Sequence, residues 1–275
     1  KNFFKERTKE FQGGAVKHAY ENWTLLTTDS EVLETVTGMP INLNHDLPPS
    51  REVSIPLGGK EREFVDKEIT SLIAKKVIVE SHHEEGEFIS PIFVTPKSDG
   101  GFRLILNLKK LNEFVEYKKF KMETLSSILC LIRPNDYMSK IDIKDAYYSI
   151  PILETHRKLL KFFHKGNLYK FTTLPNGYTE GPRKFTKLLK PPLAKCREKK
   201  VSIAGYFDDL ITMARNEKTC IENMAEVIKT LHSLGFVVHP EKSLFTPTKE
   251  LEFLGFIINS TTMTVQLRVY ETSHS

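Results

Sequence analysis

The 275-residue sequence has little cysteine and no long apolar run, and these absences exclude several classes of protein. Its three cysteines, Cys130, Cys196 and Cys220, lie far apart, with no CxxC or Cys/His pairing. This spacing supports neither a disulfide framework nor a zinc site, so we expect reduced thiols. No stretch approaches the roughly 18 apolar residues of a membrane span, and the start, KNFFKERTKE, lacks the apolar core of a secretory signal. We therefore expect an intracellular protein with no membrane partner, in a compartment that the sequence does not specify.

Strand-like and helix-like segments alternate along the chain without repeats. Apolar residues at helical spacing predict a helix over residues 60–76. Two β-rich runs around Ser98-Asp99-Gly100-Gly101 predict a hairpin, and a second hairpin is expected over residues 164–175. Because 40% of the residues are hydrophobic, the chain can bury a sizeable core. This alternation predicts a mixed α/β fold rather than a helical bundle or a solenoid.

Helix signals are clearest in the second half of the chain. A helical pattern begins at Gly181, and Pro191-Pro192 should kink or split it. Asn216 and Gly235 are residue types that begin and end a helix, and apolar residues recur between them. The segment VSIAGYFDDLITMA is typical of two short strands joined by a turn.

The net charge of +5 is modest, but the cations are clustered. One cluster contains Lys109, Lys110, Lys118, Lys119 and Lys121. A second contains Arg183, Lys184, Lys187, Lys190, Lys195, Arg197, Lys199 and Lys200. Such runs are usually solvated helix faces, whereas clustered lysines also suit a polyanionic partner, because phosphates paired with lysines release counterions. Charge alone leaves both interpretations open.

Two adjacent aspartates, Asp208 and Asp209, lie in GYFDDL between an aromatic pair and an apolar run. Taken alone, such a pair is most often a solvated turn, since Asp is a preferred turn residue. However, Asp142 in KIDIKDAYYSIPI also follows an apolar, strand-like run. Carboxylates gather in this way when strands of one sheet point their ends at a common site. The three aspartates therefore predict one acidic, cation-binding site.

Carboxylate oxygens are ligands for hard divalent cations such as Mg²⁺, which is usually held by one or two carboxylates together with substrate phosphates. The chemistry that this donor set favours is two-metal phosphoryl transfer, in which ions roughly 3.5–4 Å apart clamp the attacking and leaving oxygens. We therefore expect two Mg²⁺ ions, with Mn²⁺ as the alternative ion.

Six sequence blocks carry a resemblance to a known family. They occur in the order RLILNLKKLN, DIKDAYYSIPI, LPNGYTEGPRKFTK, YFDDL, LGFVVHPEKS and FLGFIIN. Over roughly residues 50–260 this order resembles the fingers and palm of a reverse transcriptase. GPRKFTKLLKP and NSTTMTVQL are most similar to the DIRS-like tyrosine-recombinase retrotransposons. The resemblance implies an α/β (α+β) right-hand polymerase fold whose palm is a small antiparallel sheet backed by helices, and whose helical thumb is missing after NSTTMTVQL.

The resemblance also implies a domain division and a set of site residues. The division is an N-terminal extension at 1–50, fingers at 51–134 and 154–174, a palm at 135–153 and 175–260, and a truncated tail at 261–275. The implied metal ligands are Asp142, Asp208, Asp209 and the backbone carbonyl of Ile143, and Lys242 is the implied general acid for the departing pyrophosphate. A surface lysine is almost as plausible for Lys242.

The implied nucleotide-binding residues are Lys97, Arg103, Asp145, Ala146, Tyr147, Asn176 and Gly177. Tyr147 would reject the 2′-hydroxyl that separates ribonucleotides from deoxynucleotides, although it could instead be a core aromatic residue. Lys97 and Arg103 would grip the triphosphate, or they are solvated hairpin charges. Phe253, Leu254 and Gly255 resemble the primer grip, although FLGF would serve equally as a buried strand.

The family would thus make the chain an RNA-directed DNA polymerase that binds deoxynucleoside triphosphates and an RNA or DNA template–primer duplex, in retrotransposon replication. One departure from the family pattern is Glu180, an acid where a small residue is usual. It supports an alternative, a degenerate element remnant that binds nucleic acid without polymerising. A structural or packaging protein is a third option, although it would need no acidic trio. Protein partners and oligomeric state are not specified by the sequence.

Overall fold

The computed structural model describes residues 10–53, 56–97 and 100–269. Within these residues the helices are α1 (Tyr20–Leu26), α2 (Ser30–Gly38), α3 (Gly59–Ala74), α4 (Lys109–Asn112), α5 (Leu125–Leu129), α6 (Gly181–Glu198) and α7 (Glu217–Ser233). The strands are β1 (Ile78–Ser81), β2 (Ile92–Pro96), β3 (Phe102–Leu106), β4 (Tyr137–Lys144), β5 (Lys161–His164), β6 (Asn167–Phe171), β7 (Ser202–Tyr206), β8 (Asp209–Ala214), β9 (Val237–Val238), β10 (Leu244–Thr248), β11 (Glu250–Phe253), β12 (Phe256–Asn259) and β13 (Thr264–Leu267). None of these helices is long and apolar enough to cross a membrane.

The chain forms two compact units, each built from segments that are distant in sequence. The hairpin unit contains Phe11–Phe120 and Asp145–Leu188. The large-sheet unit contains Lys121–Lys144 and residues 189–269. These limits come from spatial proximity, and the division into extension, fingers and palm stays a prediction.

In the hairpin unit, strands pair antiparallel in two sheets, with the order β1-β6-β5 in one and β2-β3 in the other. Both predicted hairpins are present. The β5–β6 turn has Lys165 at φ 48° and Gly166 at φ 78°, the pair of positive angles that a two-residue type I′ turn requires. In the β2–β3 hairpin, Ser98 and Asp99 lie outside the described residues.

Within the predicted N-terminal extension, residues 20–38 contain the two short helices α1 and α2. Asp29 caps α2, because its side chain accepts hydrogen bonds from the backbone of Glu31 and Val32 at 3.0 and 3.1 Å. Trp23 in α1 and Val36 in α2 are fully buried. The short helices therefore owe their stability to this packing, since isolated helices of 7 and 9 residues are marginal. Residues 1–9 lie outside the described part of the chain.

Helix α6 runs through Pro191 and Pro192 and is not split there. Each proline lacks the N–H of one internal hydrogen bond, a loss that a helix tolerates when its apolar face is buried. Phe185, Leu188 and Leu189 on this helix are buried. Downstream, Asn216 caps α7 by accepting from the backbone of Thr219, as its residue type predicts.

The large-sheet unit is built on antiparallel strands in the order β10-β4-β8-β7, with β9 paired to the end of β4. Helix α7 packs against β4 and β8. A buried cluster that includes Met138, Ile211, Met213 and Phe253 forms its core. Strands β11, β12 and β13 make a separate antiparallel sheet, in agreement with the β-like pattern of the last segment.

Candidate active site

The pairing of β4 with β8 brings the acidic residues together. Asp142 at the end of β4 lies directly opposite Asp209 at the start of β8, and Tyr206 at the end of β7 also pairs with Asp209. Phe207 and Asp208 are therefore the two central residues of a tight hairpin turn. Phe207 has φ 54°, an uncommon value for a bulky side chain. Strain of this kind persists where the surrounding structure imposes it, often at functional sites.

Backbone hydrogen bonds fix the acidic turn to its neighbours. The N–H of Ile143 donates to the carbonyl of Asp208 at 3.0 Å. The backbone of Asp142 accepts from the N–H of His239 at 2.7 Å and donates to the hydroxyl of Ser243 at 2.9 Å. The positions of the carboxylates are thus set by β4, the β7–β8 turn and the segment that follows β9.

The electrostatics of the trio disfavour three negative charges. Burial raises the pKa of Asp209 to about 6, with a hydrogen bond and repulsion from Asp142 adding to the effect. Burial and the charge of Asp209 also raise the pKa of Asp208. The pKa of Asp142 is raised by burial and by Asp208, although the hydrogen bond from Asp209 opposes this. Carboxyl groups crowded in this way are stabilised in their charged form by a nearby cation.

Two lysines supply part of that positive charge. Lys242 is exposed, and its charge lowers the pKa values of all three aspartates, while Lys140 on β4 acts on Asp142 and Asp209. These are weaker influences than burial. The predicted site residue Lys242 is therefore close enough to affect the acidic trio electrostatically.

The donor set suits hard divalent cations, since it consists of carboxylate oxygens and backbone carbonyls. Even so, no group of three or more His, Cys, Asp and Glu is arranged to hold a metal ion by itself within residues 10–53, 56–97 and 100–269. Asp142 and Asp209 are direct partners across the β4–β8 pair, and each carboxyl group influences the pKa of the other. The residues thus fit a cation held by two carboxylates whose coordination is completed by a phosphate-bearing ligand.

The two cations of the β2–β3 hairpin are both exposed and share one face. Arg103 pairs with Thr95, and Lys97, two residues beyond Thr95, donates its backbone N–H to Gly101 at 2.7 Å. Residues at such diagonal positions are roughly 7–8 Å apart. Lys97 and Arg103 can therefore contact one phosphate chain together.

Tyr147 begins a short 3₁₀ helix, Tyr147–Ser149, and its ring packs against Phe185 with ring centroids 5.6 Å apart. A Cβ atom at Gly181 would lie 3.1 Å from this ring, closer than ordinary van der Waals contact, so a larger residue there would press on the ring. Before it, Asp145 has φ 47° and lies 3.5 Å from the ammonium of Lys75, while Ala146 is buried. Tyr147 is half-buried, so it fits the alternative interpretation as a core aromatic residue only in part.

Asn176 and Gly177 are exposed in the loop before α6, and Gly177 has φ 95°. A side chain that the sequence analysis did not single out holds this loop. The amide of Asn112 donates to the carbonyl of Gly177 and accepts from the N–H of Thr179, both at 2.9 Å. In the sequence, Asn112 is marked only by its position at the end of the block RLILNLKKLN. That position does not predict a contact with residue 177.

Glu180, the departure from the family pattern, is a buried structural residue with 4% exposure. Its two carboxylate oxygens accept hydrogen bonds from the backbone of Lys118 at 2.8 Å and from Arg183 at 2.6 Å. Nearby cations are also paired, because Arg183, Lys184 and Lys187 lie 2.6–3.1 Å from the carboxylate of Glu31. Three members of the second basic cluster are thus engaged within the hairpin unit.

The proposed primer-grip residues form the β11–β12 turn. Phe253 is fully buried and pairs with Phe256, while Leu254 and Gly255 between them have φ 52° and 78°. These angles are those of a type I′ turn. The buried-strand alternative therefore describes Phe253, whereas Gly255 is exposed at the tip.

Comparison with known proteins gives the family. The family described as "Reverse transcriptase (RNA-dependent DNA polymerase)" matches residues 95–258. The chain is 24% identical over 212 residues to the Pro-Pol polyprotein of Simian foamy virus type 1, covering 77% of this chain and 18% of that protein. It is 25% identical over 199 residues to the Pol polyprotein from transposon 412 of Drosophila melanogaster, covering 70% of this chain and 16% of that protein. The chain thus spans less than a fifth of these curated relatives.

Solved structures share its fold. The foamy viral protease-reverse transcriptase in complex with dsDNA matches 94% of this chain and 58% of its own, with a TM-score of 0.72 and 21% identity. The same protein in complex with an RNA/DNA hybrid matches 95% of this chain and 37% of its own, with a TM-score of 0.69 and 19% identity. These matches confirm the mixed α/β polymerase fold, while the DIRS-like assignment stays a prediction. On the family match, the chain belongs to the reverse transcriptase (RNA-dependent DNA polymerase) family.

Proposed function

We propose that this chain adds deoxynucleotides to the 3′-hydroxyl of a primer, copying an RNA or DNA template during replication of a retrotransposon. One observation carries the proposal: Asp142 and Asp209 are paired across β4 and β8, with Asp208 in the adjoining turn. Family membership supplies the reaction class. The mutual repulsion and burial of these carboxyls create a place where divalent cations are favoured.

In the proposed reaction the primer 3′-hydroxyl loses its proton to solvent water, its oxygen attacks the α-phosphorus of the incoming nucleotide, and the bond to the bridging oxygen of pyrophosphate breaks. Two bound Mg²⁺ ions, or Mn²⁺, would supply charge neutralisation for the attacking and leaving oxygens. Asp142, Asp208 and Asp209, with the carbonyl of Ile143, would hold these ions. Lys242 Nζ, exposed beside the trio, would donate a proton to the departing pyrophosphate.

Substrate roles follow from exposure and chemistry. Lys97 and Arg103 share the exposed face of a hairpin and suit a triphosphate, with Arg103 able to make a bidentate contact. Asn176 and Gly177, exposed beside the Asn112 clamp, suit contacts to the sugar. We assign Asp145 and Ala146 to nucleotide binding through their position before Tyr147. The primer end would meet the β11–β12 turn.

The template–primer duplex is the proposed macromolecular partner. Foamy viral protease-reverse transcriptase, which shares the fold, has been solved with dsDNA and with an RNA/DNA hybrid. In this chain Lys109, Lys110, Lys118 and Lys119 are exposed in the hairpin unit and available for phosphates. Arg183 and Lys184 are less suited, because their side chains are 11% and 7% exposed and paired with acids.

Primer extension tests the proposal. The full chain is incubated with a primed RNA template, deoxynucleotides and Mg²⁺, and compared with Asp142→Asn and Asp208→Asn. Both variants should lose extension while staying folded and keeping duplex binding, because the lost charges act on the metal ions. Asp46→Asn, at an exposed position in the hairpin unit, is the matched control and should extend normally. An Asp208→Asn protein with near wild-type rates would contradict the site.

The degenerate-remnant alternative predicts duplex binding without extension by the wild-type chain. Its main support was the acid at position 180. Glu180 is buried, and its carboxylate accepts hydrogen bonds from the backbone of Lys118 and the side chain of Arg183. It is therefore not an exposed, unpaired acid that would repel nucleic acid. The extension assay separates the two functions directly.

A further inference from the structure

The most connected ion cluster among the described residues of the hairpin unit is centred on Glu31 of helix α2, and it shares no residue with the acidic trio. Its Oε1 lies 2.8 Å from the guanidinium of Arg183 and 3.1 Å from the ammonium of Lys184. Its Oε2 lies 2.6 Å from the ammonium of Lys187. Although burial opposes the effect, the hydrogen bond from Lys187 and the ion pairs with Lys184 and Arg183 lower the pKa of Glu31 to about 2. The carboxylate is therefore ionised throughout the working range of pH.

Arg183 extends this cluster to the start of helix α6. Its Nε donates to Glu180 at 2.6 Å, and the other carboxylate oxygen of Glu180 accepts from the backbone of Lys118 at 2.8 Å. The carbonyl of Glu180 accepts the N–H of Lys184 at 3.0 Å, so Glu180 also fixes the first turn of α6. A continuous chain of charged contacts thus runs from α2 to the residue that precedes Gly181.

The first turns of α6 are the surface against which Tyr147 rests. A Cβ at Gly181 would lie 3.1 Å from the ring, closer than ordinary van der Waals contact, and Phe185 packs one helical turn later at 5.6 Å between ring centroids. A shift of a few tenths of an ångström at the helix start would therefore be transmitted to the ring. If Arg183 lost its ion pairs with Glu31 and Glu180, the helix start would be held less firmly and the ring of Tyr147 would gain rotamer freedom.

We propose that Glu31, acting through Arg183 and Glu180, is a positioning residue for Tyr147 and thereby sets the discrimination between deoxyribo- and ribonucleotides. This inference rests on the proposed function. It gives the N-terminal helices a part in substrate selection, although the matched family region begins only at residue 95. Displacing the helix start lets the ring retreat from the space that a 2′-hydroxyl would occupy.

The test compares Glu31→Gln with Glu34→Gln in the full chain. Glu34 lies on the same helix, is exposed, and forms no ion pair with any described residue, so it controls for the change of charge. The readout is the ratio of kcat/KM for a deoxynucleotide to that for the matching ribonucleotide. We expect Glu31→Gln to lower this ratio about threefold to tenfold, the size of effect seen when coupling passes through intermediate side chains. Glu34→Gln should leave it unchanged.

A second background separates positioning from general loss of structure. In Tyr147→Val the ring is already absent, so adding Glu31→Gln should not reduce discrimination further. Trp23, the one tryptophan of the chain, is fully buried in α1 and reports by its fluorescence whether the N-terminal helices stay packed. If Glu31→Gln exposes Trp23, Glu31→Asp is measured instead, because it keeps the charge and shortens the reach.

The outcomes are distinct. A wild-type chain that extends no primer removes the proposed function and with it the inference. The inference alone is overturned if the wild-type chain extends primers and prefers deoxynucleotides, while folded Glu31→Gln or Glu31→Asp shows the same kcat/KM ratio as wild type. A further loss of discrimination in the Tyr147→Val background also overturns it, because the network would then act on some other group.

Discussion

Replacing Asp209 with asparagine should make the protein more stable at neutral pH, even though the change removes a proposed metal ligand. Burial, the hydrogen bond from its carboxyl to Asp142, and repulsion raise the pKa of Asp209 from an ordinary 3.8 to about 6. Its charged form is thus disfavoured in the folded state. Asparagine has nearly the same shape as aspartate and carries no charge, so it removes the electrostatic cost of the partly buried carboxylate.

The size of the effect follows from linkage. One pKa unit corresponds to about 1.4 kcal/mol, which sets a ceiling of about 3 kcal/mol for Asp209 above pH 6. Because the side chain is partly exposed, solvent screening reduces this to about 1–2 kcal/mol. For an acid whose folded pKa is raised, the penalty is absent below pH 3.8, develops as pH rises toward 6, and is complete above it.

The assay is urea unfolding of wild type and Asp209→Asn between pH 4 and 8, without divalent cations. The difference in unfolding free energy should be near zero at pH 4 and favour the variant at pH 7.5. Asp66→Asn is a control of opposite sign, because hydrogen bonds from Lys165 and His164 lower the pKa of Asp66, so that its charge stabilises the fold at neutral pH. A variant no more stable than wild type at pH 7.5 would refute the electrostatic account of the acidic site.

Three further predictions concern selectivity and stability. Tyr147→Val should admit ribonucleotides in a primer-extension assay, since it opens the space of the 2′-hydroxyl, and unchanged sugar discrimination would make Tyr147 a purely structural residue. Lys161→Met should lower the free energy of unfolding in urea by about 3 kcal/mol, because the fully buried ammonium is paired with Glu84 and Glu87. The control, Lys158→Met, should have little effect, and equal losses in the two variants would argue against a buried ion cluster. Asn216→Ala should cost about 1 kcal/mol in the same assay through loss of the α7 cap, and Asn216→Ser, which can still cap, should recover most of it.

The acidic site could be anticipated from sequence because its members are marked locally. Asp142 and Asp209 each lie at the boundary of an apolar, β-rich run, and strand periodicity places such residues at sheet ends. The register that makes them direct partners is a tertiary feature, set by β4 and β8 pairing across residues that are 67 positions apart. Their catalytic and metal-binding roles stay predictions, as do the roles of Lys242 and the nucleotide-binding residues.

The networks around Glu31 and Asn112 carried no comparable signal. A single glutamate in a short helix is ordinary, and nothing in its neighbourhood points to a cluster of cations some 150 residues away. Charge counting also misjudged part of the second basic cluster, since Arg183 and Lys184 are mostly buried and paired. Local sequence patterns report the faces of single elements, whereas ion networks depend on which elements the fold brings together.

The contrast between these two kinds of site follows from electrostatics. At Glu31 one carboxylate meets three cations, so its charge is stabilised and the network serves to hold helices in place. At Asp142, Asp208 and Asp209 three carboxyls meet burial and one another, with Lys140 and Lys242 compensating only in part. Charges left uncompensated by the protein itself are those that an added cation can stabilise. The acidic trio is therefore a place within the large-sheet unit where a bound divalent cation would offset unfavourable charge. The cost of these charges to stability accompanies the chemistry that we propose for them.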